Sequence, residues 1–185
     1  MSTDRRTVLA DAAIDVLAEA GLRGLTHRAV DRAAQLPPGT TSAYFRTRQA
    51  LLGALVRRLV ALDQAELQEA GERMPVPRNA GELAAGIAAL AERRLTGEGR
   101  RRSLARYACA IESVHHPELR EILLPRRNAG RDLVRAFLAA QGVADPDGRT
   151  VTLLACVDGL VFDRLVGGGA VAEREIHGLV AAALR

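Results

Sequence analysis

Lysine and tryptophan are absent from the 185 residues, and aromatic side chains make up only 3% of them. All 26 basic residues are therefore arginines, which we read as genomic base composition more than as chemistry. Two cysteines, Cys109 and Cys156, are too few and too far apart for a disulfide scaffold or a zinc site, and read as buried thiols in a reducing compartment. No apolar run reaches the roughly 18 residues of a membrane-spanning helix. The opening Met1-Ser2-Thr3-Asp4-Arg5-Arg6 lacks the apolar stretch of a secretory leader. A soluble, cytoplasmic protein with no membrane partner is expected. Catalytic signatures are missing too: no Ser-His-Asp or Cys-His set stands at a recognisable spacing, so no catalytic residue is assigned and an enzyme is not expected. Gly167-Gly168-Gly169 has neither the preceding strand nor the following Lys-Ser/Thr of a phosphate loop and reads as a helix connector. No cofactor is implied.

What is present favours helices. Hydrophobic residues reach 48% and charged ones 26%, a globular balance, and Ala, Leu and Arg dominate. Charge is unevenly placed. Residues 1–60 hold 9 Arg against 5 acids, whereas residues 61–185 hold 17 of each, so the whole net charge of +4 lies in the first third. A basic head on a neutral body fits a polyanion-binding segment.

Along the chain, Leu9, Ala13, Val16, Leu17 and Ala20 recur at helical steps between Thr3 and Ala20, and Gly21 ends that helix. Thr26 stands as the N-cap of a second helix reaching about Ala34, with Leu25 and Val30 as a hydrophobic staple. Gln35 and Leu36 form a turn, and Pro37-Pro38 puts proline at the first position of a short helix ending at Tyr44-Phe45, with Leu36 and Phe45 as its anchors. A longer helix begins near Arg48 and carries Leu51, Leu52, Leu55, Leu59, Leu62 and Leu67. After the Gly/Pro-broken stretch 70–78, helices are expected at about 80–96, 101–116, 118–141 with a bend near Pro125, 149–166 and 171–184. The fold expected is all-α, about nine helices: an N-terminal three-helix helix-turn-helix domain over 1–50 and a helical ligand-binding and dimerisation domain over 51–185.

Ordered matches then identify a family. Ala12-Ala13, Gly21, Gly24-Leu25-Thr26, Arg28, Val30, Gly39-Thr40, Tyr44-Phe45 and Leu51-Leu52 resemble the DNA-binding domain of tetracycline-repressor-like (TetR) regulators. The rest of the chain is similar only loosely, through helix count and the triplet Asp158-Gly159-Leu160 in the penultimate helix. Two places depart from the pattern: Gln35 replaces the usual turn glycine, and Ser42 and Ala43 stand where bulkier residues are common. In a left-handed conformation Gln35 would cost about 1 kcal/mol.

The resemblance and the chemistry agree on roles. The helix from Pro38 to Tyr44 would enter the major groove, with Gly39 allowing close backbone approach and Thr40, Thr41 and Ser42 offering hydroxyls to base edges or phosphates. Tyr44 is assigned to a phosphate, Ala43 lies on the same short helix, and Thr26, Arg28, Arg46 and Arg48 position the protein on double-stranded DNA. One such head buries too little surface to find a site, so a homodimer reading a palindromic operator is implied, joined through the last two helices, about 149–184. The stripes assigned to that interface are Leu153, Val157, Leu160 and Val161 on one helix and Ile176, Leu179, Val180, Ala183 and Leu184 on the other.

The resemblance also implies a body that senses a small-molecule effector and releases DNA, a repressor by family default. Candidate ligand-binding groups within apolar helical stretches are Tyr107, Cys109, Glu112, His115, His116, Phe137, Asp158 and Phe162. With so few aromatics, an aliphatic or small polar effector is more natural than a flat dye. Glu112, His115 and His116 share helical spacing, but Pro117 would push His116 out of the helix, so a helix-end cap is preferred and no metal is assigned. The rival readings are a ligand-independent DNA-binding protein and an enzyme or small-molecule-binding module on a helical scaffold.

Overall fold

A computed structural model of the chain describes residues 4–73, 76–123 and 129–185, and every regular element among them is helical. The order is α1 (Arg5–Gly24), α2 (His27–Ala33), α3 (Thr40–Tyr44), α4 (Arg48–Arg73), α5 (Ala80–Leu95), α6 (Gly97–Glu112), α7 (Pro117–Leu123), α8 (Ala129–Ala140), α9 (Pro146–Gly167) and α10 (Glu173–Ala183). No helix among the described residues is long and apolar enough to cross a membrane. The chain divides into two compact units, residues 1–63 with 101–125, and residues 64–100 with 126–185.

In the first unit α1 starts where the Asp4 carboxylate accepts the Arg6 N–H at 3.2 Å, and its helical geometry breaks at Gly21, φ 64. Leu9, Ala13, Val16 and Leu17 are buried as expected, joined by Ala10, Ala12 and Ile14, whereas Ala20 lies exposed in the last turn. Apart from Ala10, these side chains share a core with Leu25, Val30, Phe45, with Leu51, Leu52, Leu55, Val56 and Leu59 of α4, and with Ala105, Cys109, Leu119 and Leu123. Thr47 caps α4 by accepting the Ala50 N–H at 3.0 Å. Around this core, Arg58 grips Asp11 with two hydrogen bonds at 2.6 and 3.1 Å, and Arg106 pairs with Asp63.

The second unit packs α10 on α5 and α9, and α8 on α9. Its helices are capped from the sequence. Asn79 accepts the Glu82 N–H at 2.9 Å, and Asp145 accepts the Gly148 N–H at 2.9 Å with Pro146 in the first turn, so α9 starts three residues earlier than its apolar periodicity indicated. Arg94 bonds Asp158 at 2.7 Å, and Arg164 bonds Glu175 at 2.8 Å.

Two expectations need correction. The stretch expected as one helix over 118–141 is described as α7 and α8, and the bend near Pro125 lies outside the described residues. The helix expected over 101–116 starts earlier, at Gly97, and stops at Glu112, after which the Val114, His115 and His116 N–H groups bond carbonyls three residues back, and Pro117 begins α7. Cys156 is exposed, unlike Cys109. On α9 the inward stripe is Leu153, Val157, Val161 and Leu165, which leaves Cys156 outside it.

Candidate nucleic-acid interface

Residues 26–45 form the expected helix, turn and helix, with α2 packed on α1 and α3 packed on α2. Thr26 caps α2, its hydroxyl oxygen accepting the Ala29 N–H at 3.2 Å. At the other end the Gln35 N–H reaches the Arg32 carbonyl at 3.1 Å and the Leu36 N–H reaches the Asp31 carbonyl at 2.9 Å. That pair of bonds requires a left-handed residue between helix and exit, normally glycine. Gln35 takes it at φ 55, as the sole non-glycine with positive φ among the described residues. Leu36 then folds half-buried onto the core that contains Val30.

A second turn launches α3. The Thr40 N–H and hydroxyl both donate to the Pro37 carbonyl, at 3.2 and 2.6 Å, and Gly39 lies at φ 92, ψ −9. This is a type II turn with Pro38 in its second position and a left-handed glycine in its third. Helical geometry accordingly begins at Thr40 and not at Pro38, because Gly39 is the left-handed N-cap.

Across the five residues of α3 the two faces differ sharply. Ser42, Ala43 and Tyr44 are exposed, Thr40 is half-buried, and Pro38 and Gly39 are exposed ahead of them. Thr41, expected to offer its hydroxyl to DNA, is fully buried instead. Its hydroxyl donates to Asp31 Oδ1 at 2.6 Å and its N–H to the same oxygen at 2.7 Å, so it has no access to a base edge. Asp31 Oδ2 accepts the Gly39 N–H at 2.8 Å.

Asp31 is the residue that sequence reasoning missed. It is only 2% exposed. Burial alone would raise its pKa, but the Thr41 hydroxyl, the Thr41 and Gly39 N–H groups and the nearby His27 together outweigh it and hold the carboxyl below its ordinary value. Its signal was positional: it adjoins buried Val30 and stands four residues after His27, on the α2 face that the returning chain must cover.

The far end of α3 is held as well. His27 Nε2–H donates to the Phe45 carbonyl at 2.7 Å. Arg6, not singled out from sequence, donates to the Tyr44 carbonyl at 3.4 Å, with its guanidinium 5.7 and 5.5 Å from the centroids of the Tyr44 and Phe45 rings. Arg28 and Arg46 are exposed. Neither side chain is paired with another described residue. Arg48 behaves differently from expectation. Both of its terminal nitrogens donate to backbone carbonyls, of Leu25 and Leu22 at 2.6 Å each, so it braces the exit of α1.

The ligand candidates are spread over both units. Tyr107, Cys109 and Glu112 lie on α6 and His115 in the turn after it, within the first unit; Phe137 on α8 and Asp158 and Phe162 on α9 belong to the second. Cys109 and Phe137 are buried, and burial pushes the Cys109 thiol up to about 12, so it is neutral at physiological pH. His115 is exposed, and Asp158 is the partner of Arg94. His116, also off the helix, stands 3.4 Å from Glu112 and 3.5 Å from Glu118. Among the described residues no group of three such side chains is placed to hold a metal ion. Two shallow clefts, about 310 and 520 Å³, are lined by other residues.

Of the stripes expected at the dimer interface, Leu160, Leu179 and Leu184 are half-buried and the other six residues are buried. Leu153, Val157 and Val161 on α9 and Ile176, Val180 and Ala183 on α10 are buried inside the chain's own second unit, because α5 covers both helices. Facing outward on α9 is another stripe, Val151, Ala155, Gly159, Phe162 and Val166.

An N-terminal helix-turn-helix with an outward, side-chain-bearing α3, joined to a helical body, defines a helical DNA-binding regulator. Comparisons make that class specific. Residues 78–185 match the family model for the tetracyclin repressor-like C-terminal domain. A transcriptional regulator from Rhodococcus sp. Rha1 is 26% identical, over 97% of this chain and 94% of its own, with a TM-score of 0.78. The multidrug binding protein EbrR, solved with ethidium, is 25% identical over 98% of this chain and 99% of its own, with a TM-score of 0.71. A TetR-family member from Streptomyces coelicolor A3 shares the fold at 24% identity and a TM-score of 0.72, over 99% of each chain. No curated protein sequence matches the chain. The chain belongs to the tetracycline-repressor-like family of DNA-binding transcriptional regulators.

Proposed function

We propose that this protein is a non-enzymatic repressor that binds a palindromic operator as a homodimer and leaves it when a small molecule binds. The DNA-reading part rests on one observation: the outer face of α3 carries Thr40, Ser42, Ala43 and Tyr44, while its inner face is closed by Asp31 and the core. Thr40 and Ser42 offer hydroxyls to base edges, Ala43 offers a methyl contact, and Pro38 and Gly39 bring the backbone near the duplex. Arg28 and Arg46 supply the phosphate grip, with Thr26 opening α2 beside them and Tyr44 at the edge. Thr41 and Arg48 support this surface from behind.

Residues 1–50 act as the DNA-binding head and 51–185 as the regulatory part. The last two helices pair with a second copy through the outward α9 stripe of Val151, Ala155, Gly159, Phe162 and Val166, with Gly178 and Ala181 exposed on α10. Gly159 lets the two α9 helices approach closely. Two heads held this way read half-sites about 34–36 Å apart. The effector reading is supported by EbrR, a relative bound to ethidium. Tyr107, Cys109, Glu112, His115, Phe137, Asp158 and Phe162 remain the first residues to substitute in search of the effector site.

The test is the salt dependence of binding to a duplex that the protein selects from a random pool. If six to eight phosphates are neutralised per dimer, log affinity falls against log salt with a slope of about −5 to −7. Arg46→Ala takes about one unit off that slope for each phosphate contact removed. A flat salt response defeats the proposal.

A further inference from the structure

We propose that Asp31 and His27 form a two-point clamp on α2 that sets the pose of α3 and thereby the protein's discrimination between DNA sequences. This rests on the reading of α3 as the DNA-reading helix. Five residues are too few to hold a helix in water, and too few to fix its direction by apolar packing, since only Thr41 and the following Phe45 are buried. Side chains four residues apart on a helix share a face. Asp31 and His27 use that face to seize α3 at both ends.

At the front, Asp31 accepts the Gly39 N–H at 2.8 Å, the Thr41 N–H at 2.7 Å and the Thr41 hydroxyl at 2.6 Å. At the rear, His27 donates to the Phe45 carbonyl at 2.7 Å. These bonds are directional. They resist rotation and sliding of α3 in a way that apolar contact does not, and base-edge hydrogen bonds tolerate only a few tenths of an ångström of displacement.

The cluster serves stability, because Asp31 satisfies the Gly39 and Thr41 N–H groups that open α3. The same bonds also fix where the helix sits. Asp31 and His27 touch no DNA in this scheme; they act through Thr40, Ser42 and Ala43. Arg28 grips phosphate from α2 and not from α3, so Asp31 governs specific binding and leaves non-specific binding largely alone.

The experiment uses the full chain and two fluorescent duplexes, one selected by the wild type from a random pool and one scrambled from it, with dissociation constants from anisotropy. Asp31→Asn places an amide against one of the donors. Affinity for the selected duplex is expected to fall about ten- to a hundredfold, the equivalent of one or two lost base contacts. Affinity for the scrambled duplex, and the salt slope, stay within about twofold of wild type. His27→Ala shows the same loss of selectivity.

A paired Asp31→Leu and Thr41→Val variant, similar in volume but apolar, leaves the Gly39 and Thr41 N–H groups without their acceptor, so it melts below the wild type and loses the selectivity. If either single variant, or the apolar pair, keeps the wild-type ratio between duplexes, the clamp is refuted and the cluster only stabilises. Should Asp31→Asn fail to fold, His27→Ala decides alone. A wild type that selects no sequence at all overturns the reading of α3 itself, and the clamp with it.

Discussion

Gln35→Gly is expected to stabilise the protein although it deletes a side chain from a DNA-binding motif. Gln35 holds φ 55 between two hydrogen bonds that close α2, and its side chain is exposed. A left-handed conformation costs an L-residue about 1–2 kcal/mol, which glycine escapes. Glycine also enlarges the freedom of the unfolded chain, which gives back about 0.4–1 kcal/mol. The difference is a gain of about 0.5–1 kcal/mol, or a melting temperature roughly 1–4 °C higher for a chain of this length. Circular dichroism melts and denaturant midpoints at unchanged slope measure it. The molecule carries its own control. Gly142 ends α8 with the same bond pair, Gly142 N–H to Ala139 O at 3.0 Å and Val143 N–H to Leu138 O at 3.2 Å, at φ 78. A Cβ there meets nothing within 4 Å, so Gly142→Ala introduces backbone strain alone and lowers stability by a similar amount. A destabilised Gln35→Gly, or an indifferent Gly142→Ala, refutes the argument from backbone conformation.

Phe162→Glu puts a charge into the outward α9 stripe and is expected to convert the proposed dimer to monomers in sedimentation velocity without changing the helical spectrum; a variant that stays dimeric moves the interface elsewhere. Asp31 makes stability sensitive to acid. Its folded pKa lies below the unfolded one, so its contribution is complete above the ordinary carboxylate range of about 4 and is lost as pH falls through the folded value. The stability difference between wild type and Asp31→Asn therefore shrinks on acidification in denaturant titrations, and a difference that grows toward low pH contradicts the assignment. A metabolite screen by thermal shift identifies the effector: at 100 times its dissociation constant a ligand adds about 2.7 kcal/mol, or roughly 5–11 °C. A screen in which nothing raises the melting temperature favours a permanent DNA binder.

Sequence periodicity located most of the helices because apolar stripes and caps act locally. Thr26, Gly21, Gln35 and the start of α4 stand where side-chain chemistry alone put them. The inside and outside of α3 were not legible for a related reason: five residues make less than one and a half turns, too short for a stripe to declare itself, and Thr41 has the same polarity as its exposed neighbours. Asp31 was illegible because a charged residue on a short helix ordinarily points to water, and only the returning backbone reveals its three donors. On α9 the stronger stripe, Leu153, Val157 and Val161, belonged to the chain's own core. The outward stripe is poorer in large apolar residues, with Ala155 and Gly159 at its centre, and escapes a search for hydrophobicity. Arg48 was misassigned because sequence records its charge but not that Leu22 and Leu25 leave carbonyls within its reach.

The first unit is assembled from two separated stretches of chain, and that has a consequence for biosynthesis. Its core needs Ala105, Cys109, Leu119 and Leu123 beside residues contributed by the first 59 positions. At a synthesis rate of about 5–20 residues per second, the segment between Asp63 and Leu123 follows roughly 3–12 seconds behind. During that interval the nascent head holds its apolar face open, a client for whatever shields newborn chains at the ribosome. Only when α7 has emerged can α3 rest on a finished foundation.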